Sequence, residues 1–113
     1  MARNPRNKIM AKYTIHIPDR GGRVPVRPIG KFTHRGEDFF IHLHHYDRNK
    51  VGITHTETGL SAGMIDRYTG YRAIGMKRVA NSKQQLLDAA EIHLGRVSDE
   101  RFKAAMTKAR GGA

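Results

Sequence analysis

The sequence predicts an α+β protein: a small antiparallel β-sheet of about three to five strands packed against two C-terminal α-helices, behind a flexible basic N-terminal arm. Two observations carry this. Between residues 12 and 65 apolar side chains recur at every second position, in short runs broken by Gly, Pro, Asp and Asn. From Ser82 onward they recur at three- and four-residue steps behind residues that cap helices. Strands first and helices after is the order of an α+β arrangement.

The first ten residues, MARNPRNKIM, are basic, polar and proline-containing and read as a mobile arm. Lys12 to Ile17 alternate strictly, with Tyr13, Ile15 and Ile17 on one face, until Pro18-Asp19-Arg20-Gly21-Gly22 breaks the strand. Prolines at 25 and 28 cannot donate to a ladder, so residues 23 to 35 are expected as an edge strand or extended crossover whose second half, from Gly30, can pair. Gly36-Glu37-Asp38 reads as a turn, and Phe39 to Tyr46 as the strongest strand of the chain. Asp47 to Lys50 is expected to close an antiparallel hairpin with Val51 to Thr56. Thr58-Gly59 turns the chain, Leu60 to Ile65 is read as a short returning strand, and Asp66 to Gly75 as loop.

In the C-terminal third, Ser82 and Gln85 fit a capping box opening a helix at 83, with Leu86, Leu87, Ala90, Leu94 and Val97 on one stripe and Gly95 as a stop. Ser98 caps a second helix whose first turn carries Asp99 and Glu100 beside the positive end of its dipole. Phe102, Ala105, Met106 and Ala109 form its apolar stripe, and Gly111-Gly112 ends it.

At 113 residues the chain is expected to hold one domain over 11–110, with a flexible arm at 1–10 and a flexible tail at 111–113. The absence of cysteine excludes disulfides, thiolate metal sites and cysteine nucleophiles, and suits a reducing compartment. No apolar run approaches a membrane span, and the N-terminus lacks a signal-peptide core, so a cytoplasmic location without membrane contact is expected. An open sheet edge beside the proline-containing strand allows a monomer or a homodimer.

Charge is the dominant compositional feature. Of the net +11, residues 1–35 contribute +8, residues 36–75 contribute −1 and residues 76–113 contribute +4. A one-sided field of this size attracts polyanions, so the expected partner is nucleic acid, a nucleoprotein or an acidic protein surface, and the expected activity is binding rather than catalysis. The candidate contacts are Arg3, Arg6, Lys8 and Lys12 on the arm; Arg20, Arg23, Arg27, Lys31 and Arg35 on extended chain; and Lys77, Arg78 and Lys83 before the first helix.

The stretch FFIHLHHYD places three histidines in four positions of the strongest strand. Strand geometry separates them: Phe39, Ile41, Leu43 and His45 share the face expected to anchor on the helices, while Phe40, His42, His44 and Tyr46 form an opposite row. His42, His44 and Tyr46 are read as a contact face that gains charge in mild acid. His42-Leu43-His44 also resembles the His-hydrophobic-His motif of HUH endonucleases, which implies a metal-dependent DNA nuclease holding its ion through His42 and His44 and attacking phosphate with a downstream tyrosine. The two helices contain no tyrosine, and two histidines fall short of a zinc ligand set. No phosphate loop or dinucleotide fingerprint occurs and Ser61 lacks a nucleophile elbow, so no cofactor and no catalytic residue is assigned.

The segment GITHTETGLSAG, followed by ANSKQQLLDAAEIHL, resembles a pattern in short proteins of bacteriophages, prophages and plasmids, with Thr54, His55, Thr58 and Gly59 as its motif residues. The resemblance implies an accessory role such as inhibition of host defence. Anti-CRISPR proteins are among such inhibitors, and a CRISPR effector would then be the partner, in a host cytoplasm. Many of those inhibitors are acidic DNA mimics, and +11 departs from that type. An inhibitor acting by protein contact alone is the remaining alternative.

Overall fold

A computed structural model describes residues 15–19, 22–69 and 78–111. Eight strands precede two helices: β1 (Ile15–Asp19), β2 (Gly22–Val26), β3 (Pro28–His34), β4 (Glu37–Leu43), β5 (Lys50–His55), β6 (Ser61–Asp66), β7 (Tyr68–Thr69), β8 (Val79–Ala80), α1 (Lys83–Gly95) and α2 (Asp99–Ala109). The predicted α+β order is the observed one. Strands β3 to β6 form an antiparallel sheet in sequence order, with β1–β2 and β7–β8 as separate two-stranded pairs. No helix among the described residues is long and apolar enough to cross a membrane.

The proline rule places β3 correctly: Pro28 opens it, and it lies at the sheet edge. The β3–β4 turn is Arg35-Gly36, with φ of 50° and 80°, the left-handed pair that a two-residue hairpin needs. Strand β4 therefore begins at Glu37, inside the segment read as turn. It also ends at Leu43, so the loop into β5 spans 44–49 and takes in His44, His45 and Tyr46, which the sequence reading had placed on the strand. Strand β1 runs through Pro18 to Asp19, past the expected break. Tyr68–Thr69 pairs with Val79–Ala80 inside and beyond the region read as loop; a two-residue ladder has no period for a sequence to display. The expected arm over 1–10, Tyr71 and the tail residues Gly112 and Ala113 lie outside the described residues.

The sheet is covered on both faces. Toward the helices, Phe39, Ile41, Val51 and Ile53 pack with Leu86, Ala90, Leu94 and Phe102. On the other face Phe40 packs with Ile17 and Val26 of the β1–β2 ribbon. Positions 39–42 and 51–55 are consequently buried without interruption, the pattern of a strand enclosed on both sides rather than one with a wet face. Leu43, expected to anchor the sheet, is 37 % exposed at the end of β4.

Both helix starts follow the sequence. The Ser82 hydroxyl accepts from the Gln85 N–H at 3.2 Å while Gln85 Oε1 accepts from the Ser82 N–H at 2.8 Å. Ser98 accepts from the Arg101 N–H at 3.3 Å. Removing an N-cap hydroxyl of this kind costs about 1 kcal/mol, so these caps contribute to setting where the helices begin.

Candidate nucleic-acid interface

The histidine pair of FFIHLHHYD does not form a metal site among the described residues. His42 is 2 % exposed under the β1–β2 ribbon. Its Nδ1 lies 2.9 Å from the Leu43 carbonyl, which only accepts, so Nδ1 carries the proton and Nε2 accepts from the Thr54 hydroxyl at 2.8 Å. Both ring nitrogens are thus engaged, and burial holds the imidazole below its ordinary pKa, in the neutral form. The position is open to the ring because Gly52 faces it: a Cβ there would stand 2.7 Å from His42 Cε1. The expectation that His42 belongs to an exposed, chargeable contact face is therefore corrected. Alternation put it on the right face, and an unforeseen ribbon covers that face.

His44 sits in the loop, where its Nδ1 accepts from the backbone N–H groups of Tyr46 at 3.2 Å and Asp47 at 3.1 Å. No group of three or more His, Asp or Glu side chains is placed to hold a metal among the described residues. The HUH geometry, two histidines turned to one ion from one strand face, is not present in them.

The Thr-His-x-x-Thr-Gly residues are explained by local structure. Thr54 satisfies His42; His55, 2 % exposed, places Nε2 2.8 Å from Glu37 Oε1 and Nδ1 2.8 Å from the Thr58 hydroxyl. Gly59 has φ of 73° and its N–H donates to the His55 carbonyl at 2.8 Å, closing the turn. Arg110 reaches the same corner, with Nε 2.7 Å from Glu57 Oε2 and Nη2 on Glu37. Its guanidinium holds both carboxyls below the usual carboxylate range, and they raise Arg110 in turn.

Of the predicted basic contacts, Arg3, Arg6, Lys8, Lys12, Arg20 and Lys77 lie outside the described residues, and Arg23 is placed by its backbone alone on β2. Arg27 and Lys31 are exposed on and before the edge strand, and exposed Lys83 lays its stem against Gly30 of that strand. These three lie along the edge of the sheet. Arg35 does not join them. Its Nη2 donates to the Val97 carbonyl at 2.8 Å, its Nε pairs with Asp99 at 3.2 Å, and its guanidinium carbon lies 5.1 Å from the Phe102 ring centroid. Its charge holds the α1–α2 junction together.

A second basic group forms at the other end of the hairpin, around the 44–49 loop. Arg67 Nη1 donates to the Arg48 carbonyl at 3.1 Å, and Arg78 Nη1 donates to Asn49 Oδ1 at 3.3 Å. The two guanidinium carbons lie 5.3 and 5.8 Å from the Tyr68 ring centroid, within cation–π range. Backbone bonds fix the frame: Arg67 N–H to the Asn49 carbonyl and Asn81 N–H to the Arg67 carbonyl, both 2.9 Å. The acidic neighbours are occupied locally, Asp47 by the Asn49 N–H at 2.9 Å and Asp66 by Lys50, whose pKa that carboxylate raises. Arg48, Arg67 and Arg78 thus stand with His44 and Tyr46 at one loop cluster. Sequence reading selected Arg78, His44 and Tyr46 but missed Arg48 and Arg67, which lie in the segment of net −1, because regional charge sums do not reveal that Asp66 is paired with Lys50 or that the Asp47 carboxylate accepts from a backbone N–H.

No protein-family model, curated protein or solved structure matches this chain.

Proposed function

We propose that this protein binds nucleic acid without transforming it, through the Arg48–Arg67–Arg78 cluster around Tyr68 together with the basic residues of the N-terminal third. The observation that carries the reading is the cluster. The guanidiniums of Arg67 and Arg78 are held by hydrogen bonds beside the Tyr68 ring, with Arg48 on the adjoining loop, so part of the rotamer entropy that phosphate binding would cost is already lost. Guanidinium donors contact phosphate oxygens in forked geometry, and guanidinium and tyrosine planes stack on unpaired bases. The surplus of positive charge supplies a long-range attraction that is independent of sequence.

Anisotropy titrations with labelled single-stranded RNA, single-stranded DNA and duplex DNA test this. Arg48→Gln, Arg67→Gln and Arg78→Gln should each weaken binding to all sequences alike, since they contact phosphate rather than base edges. Equal affinity of wild type and triple variant removes the cluster from the interface. A nucleoprotein presents the same polyanion, so capture of a host complex that is lost on nuclease treatment falls within this reading. Capture that survives nuclease moves the function to protein contact.

A further inference from the structure

Helix α2 is held at both ends by arginine contacts. At its start Arg35 binds the Val97 and Ser98 carbonyls and Asp99; just past its end Arg110 binds Glu57 and Glu37. Between these anchors Phe102 is the only buried residue of the helix. The result is a cavity of about 400 Å³ beneath α2, with Phe39, Leu94 and Phe102 buried at its floor and Leu60, Ala105 and Lys108 exposed at its mouth. Cavities of about 300 to 1,000 Å³ hold small organic ligands, and about 150 Å³ already holds benzene. His55 lines the space, yet its nitrogens are taken by Glu37 and Thr58, so it offers a ring face and no free polar atom.

We propose that this cavity binds a small amphiphile, an apolar body bearing one carboxylate. The apolar floor takes the body. The charge assignment comes from Lys108: Arg35 and Arg110 beside the cavity have carboxylate partners, whereas no ion-pair partner of Lys108 is found among the described residues. An anion at the mouth would pair with it while the tail extends toward Phe102. This site is separate from the arginine cluster and stands independently of nucleic-acid binding.

Titration of the isotope-labelled full chain with octanoate and with 1-octanol, followed by amide chemical shifts, tests the proposal. Octanoate should give saturable shifts at Leu60, Leu94, Phe102 and Ala105 and bind about two- to fivefold more tightly than octanol, the scale of one exposed ion pair. Lys108→Gln should abolish that preference while leaving octanol binding unchanged. Ala109→Leu and Ala105→Leu, which fill the space, should each weaken both ligands by at least about tenfold, and either variant that keeps the native spectrum suffices. Shifts that stay linear into the millimolar range, or binding retained in a filled variant, overturn the proposal. So does a concentration-dependent dimer protecting the same residues, which would make a second copy the occupant.

Discussion

His42 supplies a pH signature with a definite sign. Burial depresses its pKa below the value of about 6.5 that it has in the unfolded chain. Above pH 6.5 both states are neutral and the residue leaves stability independent of pH. As pH falls below 6.5 the unfolded state takes up a proton that the folded state does not, so stability is lost until the depressed folded pKa is reached. The slope approaches about 1.4 kcal/mol per pH unit, and between pH 7.5 and 5.5 the loss reaches at most about 1.4 kcal/mol. Other groups also titrate in this range, so the quantity to measure is a difference. Urea unfolding of wild type and His42→Gln at pH 7.5, 6.5 and 5.5 gives it, because Gln does not titrate yet keeps a polar group for the buried Thr54 hydroxyl. Wild type should lose more than the variant over this interval, by up to about 1.4 kcal/mol. Parallel pH dependences would refute the neutral, enclosed imidazole and restore an exposed histidine face.

Two further substitutions probe the interior. Gly52→Ala puts a methyl group 2.7 Å from His42 Cε1 and should cost about 1 to 3 kcal/mol, a change in thermal midpoint of several degrees. The cost should shrink in a His42→Ala background, and an undiminished cost would mean the contact is not with the ring. Arg35→Ala should remove about 1 to 2 kcal/mol with its carbonyl bonds and speed amide exchange in the first turn of α2. Nucleic-acid affinity should change by no more than about twofold, since that charge is already paired; a larger loss would return Arg35 to the interface.

What could be read in the sequence divides along a physical line. Features governed by local chemistry were legible: the Ser82 and Ser98 caps, the three- and four-residue stripe of α1, the inward Phe102 and Met106 of α2, the edge position of the strand opened by Pro28, and the Phe39/Ile41 face that meets the helices. Features that depend on which segment covers which were not. Alternation put His42 opposite the helices but could not show that Ile17 and Val26 close that side. Equally, Arg35 and Arg78 are alike as charges in a sequence. One sits 62 residues from the Val97 carbonyl it binds; the other joins Arg48 and Arg67 because β7 pairs with β8 beside the 44–49 loop. The Thr54, His55, Thr58 and Gly59 motif had a signal, a turn-forming Thr-Gly, and its hydrogen bonds satisfy buried imidazoles.

Phosphate contact by the Arg48–Arg67–Arg78 cluster should show in the salt dependence of binding. For duplex DNA, each neutralised phosphate contributes about −0.9 to the slope of log affinity against log salt, so three contribute about −2.7, or roughly fortyfold between 50 and 200 mM. Other basic residues add to the wild-type slope equally in both proteins. Replacing the three arginines by Gln should flatten the slope by about two to three units. An unchanged slope in the triple variant, with the native fold retained, would contradict it.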